Sequence, residues 1–572
     1  MMGCSSSTNA TSNVQPRHLS SSHEESLPMT KTILQTARFL ESCLIIWLYN
    51  ETSNKFDNEI KHLRKLVYGL KTFTDIDACI TFINNVQDEK VFLIISDMYQ
   101  TFECFHHLPQ LEKLYIFDSF QVLNEMKHQT LKYDIIQNIN SLYKQLQEDI
   151  QVCEMDFMSI SVVSVSSQDI SFSSKLTKQQ ASFLFGQMIK EIISRLKFES
   201  SSKDVLIDFC RMHYTNNDEQ LRLIDEFAKN YRPHKVFWWL TNQCFISKIL
   251  NRVQRTREID IIYKFGFLIK QANIQLNRLH EENASLMKMI SVVYRGKIMS
   301  HVEFNTTIKN YCGGFLSFNS FLIATSNKEV AIDFVNCRLA MHLDMTGIIF
   351  EIDIDQTLFN EKNPFALLKD ADMNKDEVCF YMNTIFRIES IEQTTNGVMI
   401  IWLVKLKLIN DTDQELLHIL AATRNPEIHS NQGYFLGKLL IDMEEYKRAE
   451  QVLFGLLQDP NFCSQPRRLV RLHNGLAAIY TYNNEYVKAL HHYHQALQMS
   501  LTYLQSDHQN LAPMYKAIAD NHFNQRDYIH ALENYEKAMK LLENDIAQIN
   551  FEIITDLKTS ISMTKQLIES NK

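Results

Sequence analysis

The stretch YVKALHHYHQA, residues 486–496, returns 42 residues further along the chain as YIHALENYEKA, residues 528–538. In both copies a tyrosine and an alanine alternate at spacings of three, four and three residues. This is the period with which residues recur on one face of an α-helix. Alanine is small enough to let a second helix pack closely against that face. The alternation therefore predicts repeated helix pairs in the C-terminal part of the chain.

An earlier copy of the same pattern precedes these two. Tyr446 and Ala449 stand 40 residues before Tyr486 and Ala489. With a period near 40 residues, the pattern resembles tetratricopeptide repeats of the kinesin-light-chain length class. Three copies are about the number that a stable stack of such repeats needs. The resemblance implies an all-α solenoid over residues 415–570 that binds a protein partner or substrate.

Length and composition limit the classes of protein to which the chain can belong. A chain of 572 residues exceeds what one hydrophobic core usually organises, which predicts three or four domains. A hydrophobic content of 45%, with 13 glycines and 9 prolines, is typical of a helix-rich globular protein. The net charge of -9 argues against a nucleic-acid partner, because such proteins carry a basic surface.

The cysteines indicate a reducing compartment. All 11 are scattered, without a CxxC pair or a Cys/His set at zinc spacing, so we expect no metal site and a cytoplasmic location. No apolar run is long enough to span a membrane, and no signal peptide is recognisable. If translation starts at Met2, Gly3 and Cys4 satisfy an acylation pattern. We expect membrane contact only if both residues carry acyl chains.

The N-terminal part divides into two segments. Residues 1–28 are rich in Ser, Thr and Asn and predict a disordered tail. Residues 29–175 contain three short apolar runs, at 44–48, 91–96 and 114–117, with helical patterns between them. Such a series predicts a small α/β domain with a parallel sheet. The loops after the runs carry no GxGxxG and no GxxxxGK[ST] motif, so the role of this domain stays open.

Residues 190–408 change from helices to strands. Helical patterns extend to about Met289, and short apolar runs with the character of strands follow from Ser291 onward. Helices first and strands later predict an α+β domain with a helical lead-in. The chain is therefore expected to be a multidomain α+β protein with a C-terminal solenoid.

Three groups of residues in the strand-rich region carry the chemistry. Arg295 and Gly296 come first, residues 324–326 (Ala-Thr-Ser) follow, and Glu377 comes two residues after Lys375. This order resembles the arginine-type mono-ADP-ribosyltransferases, the NAD(P)+–arginine ADP-ribosyltransferase family. Their pattern is an Arg on one strand, Ser-Thr-Ser on another and Glu-x-Glu further on. The resemblance implies split β-sheets, NAD or NADP as the substrate, and no metal.

The resemblance also implies a role for each matching residue. Glu377 is the catalytic carboxylate, which stabilises the positive charge on the ribose as nicotinamide departs. Arg295, with Gly296 beside it, binds the dinucleotide, since a guanidinium pairs with phosphate oxygens in two places. Thr325 and Ser326 orient the nicotinamide ribose.

Two positions depart from the family pattern. Ala324 replaces the first Ser, and a lost hydroxyl weakens binding by on the order of 0.5–3 kcal/mol if its partner is left unpaired. Lys375 replaces the first Glu, which the family associates with the arginine acceptor, and an ammonium there repels a guanidinium. Three functions therefore stay open. The first is a transferase that ADP-ribosylates a protein recruited by the repeats, the second is an NAD glycohydrolase, and the third is a catalytically degenerate scaffold.

Overall fold

The computed structural model describes most of the chain between residues 41 and 570. The described residues are 41–49, 57–64, 66–67, 69–86, 88–96, 102–105, 107–117, 133–156, 158–165, 176–199, 201–215, 217–242, 244–341, 345–359, 363–369, 374–396, 399–410, 412–421, 423, 431–505, 508–543 and 551–570. The predicted tail of residues 1–28, and with it Gly3 and Cys4, lies outside them.

A parallel sheet forms the N-terminal part of the described chain. Its strands are β1 (Cys43–Leu48), β2 (Leu70–Phe73), β3 (Lys90–Ser96), β4 (Leu111–Phe117) and β5 (Tyr133–Ile136). They stand in the order β2-β1-β3-β4-β5, and every neighbouring pair is parallel. The apolar runs that predicted a parallel sheet correspond to β1, β3 and β4. Strands β2 and β5 are only four residues long and produced no continuous apolar run.

Helices cover both faces of this sheet. They are α1 (Asp57–Leu63), α2 (Ile76–Asn85) and α3 (Ile139–Asp156). Successive residues of a strand point to opposite faces. Trp47 of β1 therefore packs in the apolar cluster that contains α1 and α3, whereas Ile46 packs in the cluster that contains α2.

A group of helices follows the parallel sheet. They are α4 (Lys178–Arg195), α5 (Ser202–His213), α6 (Asp218–Asn230), α7 (Val236–Thr241), α8 (Phe245–Thr256), α9 (Ile259–Glu282) and α10 (Ala284–Met287). Thr177 and Gln180 form a capping box that begins α4. Helices α4 to α9 share one apolar cluster, which includes Phe265 and continues into Leu439 near the C-terminal helices, whereas Met287 of α10 packs in another cluster. The cluster therefore joins the lead-in helices to the predicted solenoid.

Buried polar contacts join the lead-in helices to the N-terminal unit that contains the parallel sheet. Arg252 Nη2 lies 3.0 Å from Glu89 Oε1, and Arg252 Nη1 pairs with Glu258. Tyr214 donates a hydrogen bond of 2.9 Å to Glu41. All five residues are buried, and separating such pairs leaves an uncompensated charge in the interior. The N-terminal unit is therefore held in a fixed position against the lead-in helices.

Within the described residues, a second sheet contains nine strands. They are β6 (Ile160–Val163), β7 (Val292–Ser300), β8 (Phe315–Phe318), β9 (Leu322–Thr325), β10 (Met345–Asp353), β11 (Phe365–Lys369), β12 (Asn374–Phe380), β13 (Ile385–Asn396) and β14 (Met399–Leu408). Their order is β11-β12-β9-β7-β10-β14-β13-β8-β6. Strands β10 and β14 pair in parallel, and the other neighbours are antiparallel. The helices α11 (His301–Phe304) and α12 (Lys328–Met341) lie between its strands in the sequence.

One strand of this sheet comes from the N-terminal part of the chain. Strand β6 lies in the segment 29–175, which was predicted as a separate α/β domain. It pairs with β8 from Ile160 opposite Phe318 to Val163 opposite Phe315. Residues of that segment therefore contribute to both sheets.

The nine-stranded sheet has two halves that meet at one point. Strands β11, β12 and β9 form one half, and the other six strands form the second. Among the described residues, the halves are joined through the pair of Tyr294 in β7 and Thr325 in β9. The structure connects these halves in one hydrogen-bonded order, and the split sheets implied by the resemblance stay a prediction.

The C-terminal part consists of helices. They are α13 (Gln414–Ala421), α14 (Gln432–Asp442), α15 (Tyr446–Leu457), α16 (Pro460–Cys463), α17 (Pro466–Tyr482), α18 (Tyr486–Ser500), α19 (Ala512–Asn524), α20 (Tyr528–Glu543) and α21 (Phe551–Ser570). The alanines of the repeated pattern, Ala489, Ala496, Ala531 and Ala538, are all completely buried. Their burial agrees with the prediction that small residues let paired helices pack closely.

The turn inside each helix pair repeats the same backbone geometry. Glu444, Asn484 and Arg526 have positive φ angles of 66°, 61° and 65°. At each turn the N–H of the following residue donates to the carbonyl five residues earlier, at 2.8–2.9 Å. This is the hydrogen bond of a Schellman motif, which ends a helix with a left-handed residue. The turns recur at the spacings predicted from the tyrosine and alanine pattern.

Shorter helical segments complete the described structure. They are the 3-10 turns Phe102–Phe105, Pro233–Lys235, Gln356–Leu358 and Gln509–Leu511, and the π-helical segment Asn305–Lys309. Among the helices that the structure describes, none combines the length and the apolar character needed to cross a membrane.

Candidate active site

Arg295 lies in β7, where the two halves of the large sheet meet. It stands opposite Phe350 in the antiparallel pair of β7 and β10. Its Nη1 donates a hydrogen bond of 3.4 Å to the carbonyl oxygen of Ile323 in β9. Its guanidinium carbon lies 5.9 Å from the centre of the Phe334 ring. These contacts place a positive group beside β9.

Gly296 allows helix α12 to pack tightly against β7. A Cβ atom at this position would lie 2.6 Å from the carbonyl oxygen of Ala331 and 2.9 Å from Val335 Cγ2. Both distances are well inside van der Waals contact, and the first involves backbone, which has little freedom to move. Gly296 therefore contributes to the site by setting the position of β7 and of the neighbouring Arg295.

Thr325 and Glu377 are direct partners in the antiparallel pair of β9 and β12. Thr325 also pairs with Tyr294 of β7. Its hydroxyl accepts a backbone N–H two residues further on, at 3.1 Å. Ser326 is exposed in the bend after β9. The structure therefore brings Thr325 next to Glu377 and places Ser326 at the surface.

Arg295 and Glu377 line the same cavity, which has a volume of about 290 Å³. Ligand sites usually begin at roughly 300 Å³, so this cavity is close to the lower end of that range. Phe237 of α7 and Phe321 form an aromatic wall, with ring centroids 6.0 Å apart and nearly perpendicular planes. Polar side chains of α7, α8 and the residues between them also line the cavity: Thr241, Asn242, Ser247 and Asn251.

The side chains of β9 alternate between this cavity and the core of the sheet. Leu322 and Ala324 pack in an apolar cluster with Val378, whereas Ile323 lines the cavity. The side chain of Ala324, which lacks the hydroxyl of the family's serine, therefore lies in the core of the sheet and does not line the cavity. The expectation that Ala324 removes a contact to NAD stays a prediction. Ile323, which has no hydroxyl, holds the cavity-facing position beside Arg295.

Lys375 lies in β12, two residues before Glu377. Its side chain lies outside the described residues. The effect of Lys375 on the choice of acceptor therefore stays a prediction from its charge.

One wall of the cavity comes from a part of the chain that the sequence patterns did not single out. Gln151, Glu154 and Met158, in α3 and just after it, line the same cavity as Arg295 and Glu377. These three residues carry no motif and are far from Arg295 in sequence. Only the folded arrangement of the chain brings them to the site, so no signal in the sequence could have identified them.

Glu154 has an unusual electrostatic environment. Its Oε1 lies 3.9 Å from Lys248 Nζ. Burial raises the pKa of Glu154 to about 7, with Lys248 opposing the shift and Glu41 adding to it. Burial alone would lower the pKa of Lys248, but the carboxylates of Glu41 and Glu154 outweigh it and hold this pKa above its ordinary value.

A group of polar residues also comes together in the C-terminal helices. His522 Nδ1 and His530 Nδ1 lie 3.2 Å and 2.8 Å from Asp527 Oδ2. Within the described residues, this is the group whose possible metal-ligand atoms all lie within 4.8 Å of one another. Asp527 also accepts the backbone N–H of His530 at 3.3 Å. The hydrogen bonds of a helix cap account for the contact between Asp527 and His530.

Comparisons with known proteins identify one region of the chain. Residues 468–544 match the tetratricopeptide repeat family. This region contains both YVKALHHYHQA and its copy, so the prediction of tetratricopeptide repeats is confirmed there. No match was found among curated proteins.

Among solved structures, the chain is similar to Plx2a, an ADP-ribosyltransferase toxin from Paenibacillus larvae. The sequence identity is 12%, the similarity covers 36% of this chain and 96% of that chain, and the TM-score is 0.18. A TM-score this low carries no argument about the cavity. The comparisons therefore identify tetratricopeptide repeats at residues 468–544 of the chain.

Proposed function

We propose that the chain is an NAD-dependent mono-ADP-ribosyltransferase that modifies a protein held by its tetratricopeptide repeats. The observation that carries the proposal is the cavity shared by Arg295 and Glu377. A cation and a carboxylate that face one ligand-sized space, beside an aromatic wall, fit a substrate with a pyrophosphate, a ribose and an aromatic base.

Binding of NAD assigns one task to each side of the cavity. Arg295 pairs with the pyrophosphate, because the planar guanidinium offers two parallel donors to phosphate oxygens. The rings of Phe237 and Phe321 offer an apolar surface for the nicotinamide, since aromatic rings pack edge to face or offset. Thr325 stands beside Glu377 and supports the ribose end of the site.

Glu377 supplies the chemistry. When nicotinamide departs, it takes the electron pair of its bond to the ribose and leaves positive charge on the sugar. A carboxylate against that sugar stabilises the charge as it develops. Glu377 lies within a paired strand, and side chains on rigid elements keep their geometry better than side chains on loops.

The acceptor is expected to differ from arginine. The ammonium of Lys375, two residues before Glu377, repels a guanidinium that approaches the site. A neutral or anionic nucleophile on a protein meets no such repulsion. The match of residues 468–544 to tetratricopeptide repeats supports recruitment of that protein, because these repeats build extended binding surfaces.

Lys375 also favours a second candidate, an NAD glycohydrolase. If no side chain of a partner protein reaches the ribose, water attacks the ribose and ADP-ribose is released. Both reactions release nicotinamide and depend on Glu377, and they differ only in the nucleophile.

Nicotinamide release by the full chain tests this proposal. We expect Glu377→Gln to lower the rate by roughly 100-fold or more, as removal of other transition-state stabilisers does. The matched control is Glu389→Gln, because Glu389 is 45% exposed on β13 and should tolerate the change without loss of rate. Transfer of labelled ADP-ribose to protein separates the transferase from the glycohydrolase.

Binding of NAD provides an independent measurement. A ligand that binds the folded protein raises its melting temperature, so wild type should show a thermal shift that depends on NAD. If neither nicotinamide release nor a thermal shift is observed, the chain is a repeat scaffold with a degenerate transferase-like region.

A further inference from the structure

Glu154 stands between two cavities. It lines the cavity of Arg295 and Glu377, and it also lines a second cavity, which Lys248 and Glu219 border. Gln151, one turn earlier in α3, borders both cavities as well. Gln151 and Glu154 therefore form part of the boundary between the two cavities, and Glu154 brings a carboxylate to it.

The carboxylate of Glu154 keeps hydrogen-bonding capacity. Within the described residues, its Oε1 is buried and accepts no hydrogen bond. Its cationic neighbour, Lys248, lies 3.9 Å away, which is beyond hydrogen-bond distance. Lys248 instead donates to the carbonyl oxygen of Leu66 at 2.8 Å. The Glu154 side chain is 16% exposed and lines both cavities.

The position of Glu154 is fixed by the docking of the N-terminal unit. Arg252 of α8 pairs with Glu89, and Asn217 Nδ2 donates to the carbonyl oxygen of Arg64 at 2.6 Å. Helix α3 packs on the same sheet, in the cluster that contains Trp47. A side chain on α3 therefore reaches the cavity at a fixed place.

We propose that Glu154 is the general base of the reaction, which accepts the proton of the nucleophile as the nucleophile attacks the ribose. This inference rests on the proposed function. In the step, the bond from ribose to nicotinamide breaks and nicotinamide leaves with its electron pair. The nucleophile forms the new bond to the same carbon, and its proton moves to the Glu154 carboxylate and from there to solvent.

This assignment gives the two carboxylates of the cavity different tasks. Glu377 stabilises charge on the ribose, and Glu154 removes the proton of the nucleophile. General bases work best when their pKa lies near the operating pH, and burial places that of Glu154 at about 7. The N-terminal unit would then complete the active site, which assigns it a purpose.

The charged and titratable groups around Glu154 belong to several elements. Lys248 of α8 and Glu41, just before β1, act on it directly. Cys43 and Tyr214 are affected by its charge. Any pH profile of the reaction therefore reports this group of residues, so the contribution of Glu154 must be taken from a comparison of variants.

The test uses the full chain, with NAD as the probe and water as the nucleophile. We expect Glu154→Gln to lower kcat for nicotinamide release by roughly 100-fold or more. It should also abolish the rise in kcat with pH near 7 and leave the thermal shift by NAD unchanged. The matched control is Glu148→Gln on the same helix, because Glu148 is 56% exposed and should keep the wild-type rate. Glu154→Asp should retain part of the rate and the pH dependence, even if the Gln variant folds poorly.

Unfolding as a function of pH adds a measurement that does not depend on activity. A carboxyl whose pKa is raised in the folded state stabilises the fold below its unfolded pKa, and this contribution is lost as the pH rises through the folded pKa. The free energy of unfolding of Glu154→Gln, compared with that of wild type, should therefore increase as the pH rises from 5 to 8. An equal difference at every pH would show that Glu154 does not titrate in this range.

The outcomes separate this inference from the proposed function. If Glu377→Gln abolishes release while Glu154→Gln keeps the wild-type kcat and pH profile, the general base is another group and only this inference is wrong. If wild type releases no nicotinamide at any pH, both are wrong. Loss of kcat together with loss of the NAD thermal shift would make Glu154 a binding residue and would also overturn the inference.

Discussion

Thr325 and Glu377 stand opposite each other across β9 and β12, and Thr325 is also the residue through which β9 pairs with β7. The junction between the halves of the large sheet is therefore next to the residue to which we assign the catalytic role. A small shift of one half against the other changes the distance between Glu377 and Arg295. The geometry of the site thus depends on how firmly this junction is held.

Gly296→Ala should damage the site through packing. The new Cβ meets the backbone oxygen of Ala331 at 2.6 Å, so β7 and α12 must move apart. Overpacking of this kind costs about 1–3 kcal/mol, and we expect a weaker thermal shift by NAD as Arg295 moves. The control is Gly455→Ala in α15, where a Cβ meets nothing within 4 Å and helix propensity should raise stability by about 0.5–1 kcal/mol. Equal stability of the two variants would contradict the prediction.

Lys375→Glu should make arginine a better acceptor. Two unit charges about 4 Å apart interact by about 1 kcal/mol even in water, and the substitution turns repulsion of a guanidinium into attraction. We therefore expect transfer of ADP-ribose to an arginine analogue to increase by roughly tenfold or more. Lys405→Glu, at a side chain that is 40% exposed on β14, makes the same charge change away from the cavity. An equal effect of both substitutions would mean that net charge, and not the position of Lys375, controls the acceptor.

The repeats should lose stability in mild acid, in part through His492. Burial, together with His473 and His491, lowers the pKa of His492 from 6.5 to about 4. The unfolded chain therefore binds a proton that the folded chain excludes, and stability falls as the pH drops from 6.5 towards 4. Denaturant unfolding of His492→Gln should show a smaller loss over this range than wild type. His234→Gln, at an exposed position, should follow wild type, and parallel curves for all three proteins would refute the assignment.

Arg526→Gly should stabilise the C-terminal repeats. Arg526 has a φ of 65°, and a left-handed conformation costs a residue with a Cβ roughly 1–2 kcal/mol. Glycine adopts it without that cost, although it loses more backbone entropy on folding, so we expect a net gain of about 0.5–1 kcal/mol in the free energy of unfolding. The adjacent Gln525 has a φ of -77°, and Gln525→Gly should destabilise. A loss of stability in both variants would show that Arg526 makes contacts that outweigh the strain.

The sequence predicts the C-terminal repeats well because their signal is local. Tyr486 and Ala489 recur at a fixed spacing, and the interactions that select these residues lie within one helix pair and its neighbour. The same holds for β1, β3 and β4, which are buried on both faces and therefore appear as continuous apolar runs. Strand β2 has two exposed residues among its four, and such a short, mixed segment carries no clear period.

The candidate site is only partly predictable for a related reason. The order of motifs in the chain predicts Arg295 and Glu377 as site residues, and both line one cavity in the structure. The roles of Ala324 and Ile323 depend on which face of β9 each residue occupies, and a match of residue types does not reveal that face. Glu154 reaches the cavity through the packing of a separate unit, and such long-range contacts leave no local pattern.

The pairing of β6 with β8 has a consequence for any shortened form of the protein. A fragment that begins after residue 175 contains all the residues of the predicted transferase-like domain but lacks β6. The edge of β8, with Phe315 and Leu316 buried in the intact protein, would then offer unpaired backbone groups to other molecules. Open edges of this kind template intermolecular pairing. Such a fragment is expected to self-associate into aggregates, and a soluble catalytic fragment would have to begin upstream of Ile160.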